Sequence, residues 1–425
     1  MRLPKTTPGL VESVRDFVRE GFRPRFGELG DAFPSNQAWQ RLRRLGSRLW
    51  LDTGSLDDAA QLWTREFSAL TTNNTLLNKE VQKGAYDTVI SEAARILAGY
   101  DLSPRERILE IAFILNARHA LSLVERFDAY VSVEEHTDLA HDVGAVVDCA
   151  RRYRAICPER FIVKIPLTPA GLLATRRLSA EGIAVNHTLG FSARQNYLVA
   201  RIARPRFVNV FLGRLNAFVA DNGLGSGAYV GERATLASQA VIAELRNASG
   251  LSTLQIGASF REGAQVHDLA GLDVLTMPPK VAKEFLDLGT PPEQIVDRTA
   301  EDYRPALAEG VDPQAVGLGT LWDIGPELAA CADALENEDL DALTPAGLVG
   351  FFADHGCGDL LADWTDEQIR TSAAEGKIPR LENWGDALAA GRIGLDALMN
   401  LAGLNSFAAD QEALDQRIKQ VLAKG

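Results

Sequence analysis

Histidine and cysteine are scarce in this chain, at 6 and 4 of 425 residues. None of Cys149, Cys157, Cys331 and Cys357 forms a CxxC pair or a metal-like spacing, and no histidine falls in an HExxH array. These absences argue against a zinc site or a thiol redox motif and suit free thiols in a reducing compartment. A basic excess is lacking too. With 44 Lys and Arg against 57 Asp and Glu, the net charge is −13, which disfavours general nucleic-acid binding and docking on anionic lipid. A local arginine cluster can still override that sign for a small anionic substrate. No run of 18 apolar residues exists, so no membrane span is expected. The N-terminal "MRLPKTTPGLVESVRDFVREGF" mixes acids and bases without an apolar core, so no secretory signal is read. A cytoplasmic location is the resulting expectation.

What the chain does have is rhythm. Short apolar, β-rich runs alternate with amphipathic segments: "SRLWLDTG", "SALTTNN", "FDAYVSVE", "RFIVKIPLT", "GIAVNHTLGFS", "RFVNVFLGR", "TLQIGASF" and "DVLTMPP". Eight strand–helix units over about 270 residues have the size and order of a (β/α)8 TIM barrel, an α/β fold. The division expected is a helical N-terminal segment over 1–45, a catalytic barrel over 46–320, and a helical C-terminal extension over 321–425. In that extension the strands stop, and "ENEDLD" reads as a solvated turn without EF-hand spacing. No internal repeat or low-complexity segment is present.

One residue stands out against this pattern. In "PERFIVKIPLTPAGL", Lys164 interrupts the apolar run of Phe161, Ile162, Val163, Ile165 and Pro166. A central strand of a parallel sheet is covered on both faces, and an unpaired charge inside it costs several kcal/mol. An edge lysine facing water would carry no such meaning. A partly buried lysine tends to shed its proton, and the neutral amine is a nucleophile able to form a Schiff base with a carbonyl. A shift of about three units would draw roughly 4 kcal/mol from the surroundings.

Other polar residues collect where the barrel reading places the carboxyl ends of strands, the place where such barrels do chemistry. Asp52 closes "LWLD", Asn73 lies in "TTNN", Glu134 ends "AYVSVE", and Asn186 and Thr188 fall in "VNHT". Arg214 follows "NVFLG", and Ser259 and Arg261 occur in "GASFR". Side chains two apart on a strand share a face, so Ser132 with Glu134, Asn186 with Thr188, Asn209 with Phe211, and Ser259 with Arg261 are candidate pairs for one mouth. Singly, Asp52 and Asn73 read equally well as turn or cap residues, Glu134 as a helix cap, and the arginines as surface ion pairs. Jointly they fit imine-based C–C bond exchange on a phosphorylated ketose. An amine attacks the ketone, an acid expels water, a base takes the hydroxyl proton, and arginine forks hold phosphate.

The stretches "WLDTGS", "TTNNTLL", "VSVEEHTDLAHD", "FIVKIPLTPAGLLATRRLSAEGIAVNHTLGFS", "VFLGR" and "GASFR" resemble, in order, those of the transaldolases. The resemblance covers most of the interval from about 49 to 280 and says nothing of the ends. It implies that Lys164 forms the Schiff base and that Asp52 is the acid/base at the C4 hydroxyl. It further implies that Glu134 and Thr188 hold a proton-shuttling water and that Asn73 and Asn186 bind substrate hydroxyls. Arg214, Arg261 and Ser259 would bind phosphate, and Phe211 would pack in the pocket. No cofactor or metal is implied, and the partners are small sugar phosphates.

Three positions depart from the family pattern. Asn74 stands for a usual Pro, Gly190 for a usual Leu, and Asn209 for a Ser that contacts the dihydroxyacetone unit. The runner-up reading is a fructose-6-phosphate aldolase or another specialised class I aldolase. Those aldolases carry Gln and Tyr where this chain has Glu134 and Phe211. A non-catalytic sugar-phosphate scaffold would predict a damaged set, whereas Lys164, Asp52 and Glu134 are all present. The apolar faces of "LVGFFADHGCGDLLADW" suit packing on the barrel or self-association, a possible homo-oligomer.

Overall fold

A computed structural model describes residues 7–424; residues 1–6 of the expected N-terminal segment lie outside the described residues. Eight parallel strands close into a barrel in chain order. They are β1 (Arg48–Asp52), β2 (Phe67–Thr71), β3 (Tyr130–Glu134), β4 (Phe161–Pro166), β5 (Val185–Thr188), β6 (Phe207–Phe211), β7 (Leu254–Ala258) and β8 (Val274–Met277). Seven lie within the runs read from the sequence, β2 begins one residue before "SALTTNN" at Phe67, and helices separate them. The α/β barrel expectation therefore holds.

The strands form because both their faces are covered. All six residues of β4 are buried, the continuous apolar run that a two-sided environment selects. Inward side chains build a small core of Trp50, Ala69, Ile162, Phe207, Ile256, Ala258 and Val274. The rings of Trp50 and Phe207 meet edge to face at 4.8 Å and plug the barrel. Two residues further along several strands, the inward positions turn polar, and this change of chemistry defines the site end.

The loops at that end are fixed by helix caps. Thr168 accepts from the N–H of Gly171, with Pro169 at the first helical position, and Ser192 accepts from Gln195. Past the barrel, helices Pro326–Glu336 and Pro345–Asp354 bury Leu328, Leu335, Leu348 and Phe352 against barrel residues Leu172, Leu173 and Leu198. A final helix, Leu395–Leu422, crosses the barrel mouth. Its first turns pack Leu395, Leu398 and Met399 on Leu189, Phe191 and Phe218. Its last turns bury Leu414 and Ile418 in the same core as Leu10 and Val14 of helix Pro8–Arg19. Arg194 anchors it: its guanidinium bonds Asp396 and Asp359, each at 2.7 Å. No described helix is long and apolar enough to cross a membrane.

Candidate active site

The polar inward positions converge on one cavity of about 170 Å³. Asp52, Asn73, Lys164, Asn186, Thr188, Asn209, Phe211, Arg214, Ser259 and Arg261 all line it. Glu134 does not. It lies behind Lys164, on the neighbouring strand and in register with it.

Lys164 is only 5% exposed. Its Nζ sits 3.5 Å from Glu134 Oε1, donates to the backbone O of Thr72 at 3.5 Å, and lies 5.5 Å from the ring centroid of Phe407. Burial pushes the Glu134 carboxyl above its usual range, partly opposed by the Lys164 charge and by the N–H of Asn74. That N–H donates to Glu134 Oε2 at 2.9 Å. Glu134 Oε1 and Thr188 Oγ1 have no hydrogen-bond partner among the described residues.

Asp52 is held by the Thr71 hydroxyl, which donates to Oδ1 at 2.7 Å and itself meets Thr276 Oγ1 at 2.8 Å. Burial raises its carboxyl above the ordinary aspartate value, with Lys164 pulling the other way. The turn or cap reading of Asp52 gives way, because Ser55 caps the next helix. Asn73 does both jobs: it lines the cavity and accepts from Leu76 N–H at 2.8 Å as the cap of helix Asn74–Gln82. Asn209 Nδ2 donates to Asn186 Oδ1 at 3.1 Å, and Asn186 Nδ2 donates to Ser132 Oγ at 3.1 Å. This amide chain spans three strands and leaves fixed donors and acceptors around Lys164.

Arg214 is 6% exposed, its Nη1 has no partner, and no carboxylate lies within 4.0 Å among the described residues. Burial and the nearby Arg261 lower its pKa to about 10. Two close guanidinium groups with no carboxylate in ion-pair range fit an anion better than a surface ion pair. Ser259 and Arg261 reach the cavity by a route other than strand alternation. Strand β7 ends at Ala258, and Ser259 takes a left-handed φ of 67°, which turns the chain so that both residues face the mouth.

The departures from the family pattern have local causes. Asn74 keeps an N–H that proline lacks, and its side chain bonds Glu135 O at 3.2 Å. A Cβ on Gly190 would come within 2.3 Å of the backbone O of Asn209, so a leucine has no room with the chain as it runs. Gly190 and Asn209 are thus neighbours, and Gly190 N–H points to Asn209 Oδ1 at 3.4 Å.

Among the lining residues that escaped the sequence reading, Lys377, Phe407 and Asp410 come from the C-terminal extension. Phe407 has Arg214 5.6 Å from its centroid as well as Lys164. The Thr75 hydroxyl donates to Asp410. No signal in the barrel segment points to them.

A family model described as Transaldolase/Fructose-6-phosphate aldolase matches residues 49–341. The chain belongs to that family. A transaldolase of Xanthomonas campestris pv. campestris is 31% identical over 261 residues, covering 59% of this chain and 79% of that protein. A probable transaldolase of Thermus thermophilus is 35% identical over 242 residues, 56% of this chain and 90% of its own. A transaldolase of Marinobacter nauticus is 30% identical over 244 residues, 56% and 74% respectively. The chain is therefore an enzyme of the transaldolase class, which transfers aldehyde or ketone residues. Its helices beyond residue 341, with Lys377, Phe407 and Asp410, lie outside the matched stretch.

Proposed function

We propose that this enzyme moves a dihydroxyacetone unit from sedoheptulose 7-phosphate to glyceraldehyde 3-phosphate through a Schiff base on Lys164. The products are erythrose 4-phosphate and fructose 6-phosphate, a step of the non-oxidative pentose phosphate pathway. The observation that carries the reading is a buried amine facing a polar cavity, with one carboxylate beside it and a second across the mouth.

The amine of Lys164 attacks the C2 ketone, and Glu134, 3.5 Å from it, accepts the amine's proton and returns it as the carbinolamine loses water. Thr188 Oγ1 and Glu134 Oε1, both free to bond, suit a water that relays these protons. In the imine, Asp52 takes the C4 hydroxyl proton, the C3–C4 bond breaks, and its electrons pass into the enamine. The aldose leaves. The three-carbon enamine then adds to the incoming aldehyde, Asp52 returns its proton to the new alkoxide, and water hydrolyses the imine. Asn73, Asn186 and Asn209 suit the hydroxyls of the bound unit, Phe211 packs against it, and Arg214, Arg261 and Ser259 suit the phosphate.

Borohydride reduction in the presence of fructose 6-phosphate, followed by peptide mass mapping, tests this. The expected adduct is on Lys164; an adduct elsewhere, or none, overturns the reading. A second reading, fructose-6-phosphate aldolase, shares the matched family model. Release of more free dihydroxyacetone than erythrose 4-phosphate formed by transfer would favour it.

A further inference from the structure

We infer that Lys377, in the C-terminal extension, is a specificity-determining residue that binds the phosphate of the sugar substrates together with Arg214 and Arg261. The inference rests on the reaction proposed above and adds a residue to it from outside the family-matched stretch.

Lys377 lines the same cavity as Lys164, Arg214 and Arg261. It belongs to the loop after helix Asp366–Glu375, and the loop is built to present it. Gly376 takes a φ of 80°, a turn that a side chain would strain. On the far side, Asn222 of the barrel clamps the loop: its Oδ1 accepts from Leu381 N–H at 2.7 Å and its Nδ2 donates to Pro379 O at 3.0 Å. Glu375 is the nearest acid in sequence, and it is already engaged. It accepts from Trp384 Nε1 at 2.9 Å, from Asn383 Nδ2 at 2.6 Å and from Arg380 N–H at 3.2 Å. Among the described residues no carboxylate lies within 4.0 Å of the Lys377 ammonium. The loop is thus tethered at both sides while its cation is left unneutralised at the mouth.

Charge explains why this matters. The cavity lining carries Lys164, Arg214, Arg261 and Lys377 against Asp52 and Asp410. A chain with a net charge of −13 therefore has a mouth of the opposite sign. Such a mouth concentrates small anions, and a dianionic phosphate can accept from two guanidinium groups and one ammonium together. Lys377 and Arg261 are exposed whereas Lys164 and Arg214 are buried, so Lys377 meets the phosphate of an entering substrate at the rim.

The test compares K377Q, K377E and K377R with the unaltered enzyme, using glyceraldehyde 3-phosphate and unphosphorylated glyceraldehyde as acceptors. The ratio of kcat/KM for the two should fall about tenfold in K377Q, equivalent to 1.4 kcal/mol. It should fall further in K377E and recover in K377R. An unchanged ratio, or equal losses on both acceptors, overturns the assignment. Binding of glucitol 6-phosphate, which has no carbonyl to react, gives a readout independent of the chemistry. Its dissociation constant should rise about tenfold in K377Q while that of glucitol stays put; no difference overturns the inference. Failure of borohydride trapping on Lys164 in the same preparations would instead overturn the reaction proposed above, leaving the phosphate assignment to the binding data.

Discussion

Asn74 offers its backbone N–H to Glu134, the acid that faces Lys164 from the adjacent strand, at 2.9 Å. The bond favours the ionised carboxylate, against a burial that favours the protonated form. Replacing Asn74 with proline removes this donor while suiting the first position of helix Asn74–Gln82. The Glu134 pKa rises as a result, so the acidic limb of the kcat/KM–pH profile moves to higher pH. At neutral pH the rate falls roughly three- to tenfold. N74A keeps the N–H and serves as the control for loss of the side chain; a profile shift in N74A equal to that in N74P would place the effect elsewhere.

Lys164 and Asp52 separate by assay. Lys164→Ala abolishes borohydride trapping and transfer together. Asp52→Asn, which keeps an acceptor for the Thr71 hydroxyl, still forms the imine but slows cleavage by about 10²–10⁴-fold. Mass spectrometry of the reduced adduct and product assays on the same sample distinguish the two.

Glu135 gives a stability prediction of definite sign. It is 1% exposed, and neither carboxylate oxygen has a partner among the described residues. Burial first, then the charge of Glu134, holds its carboxyl well above the ordinary range in the folded chain. A folded pKa above the unfolded one contributes stability at low pH and loses it as pH rises from about 4.3, the unfolded value, towards the folded pKa. Glu135→Gln removes that slope. Denaturant midpoints should show the variant gaining on the parent between pH 5 and 8, by about 1–3 kcal/mol at the upper end; parallel curves would reject the account.

Deleting the chain after residue 325 strips two barrel faces. It uncovers Leu172 and Leu198 on one side and Leu189 and Phe218 on the other. It also removes Leu414 and Ile418 from the main core, where loss of a single large side chain costs about 2–5 kcal/mol. The truncated protein should be insoluble or melt well below the full chain. Unchanged melting would show that the extension is an independent appendage.

Eight strands and most of the cavity were legible because a parallel barrel writes itself locally: an apolar run, then a polar residue at its carboxyl end. Lys164 showed as a charge where both strand faces must be dry. Ser259 and Arg261 were placed correctly for a reason that does not hold, since a left-handed turn and not pleat alternation brings them in. Glu134 was expected at the cavity surface, but the inward position it occupies is screened by Lys164. Phe407 and Asp410 were invisible because they approach through tertiary packing from a helix whose periodicity reports only an apolar face, and Lys377 because it arrives on the loop after helix Asp366–Glu375.

The helix that carries Phe407 and Asp410 leaves the ribosome about 130 residues after β8. Domains form from the N-terminal side as they emerge. Until that helix is seated, Phe407 does not cover Lys164. The turns that carry Leu414 and Ile418 join the hydrophobic interior beside Leu10, while Phe407 of the same helix lies over the Lys164 amine, so seating one helix both fills the interior and roofs the catalytic centre.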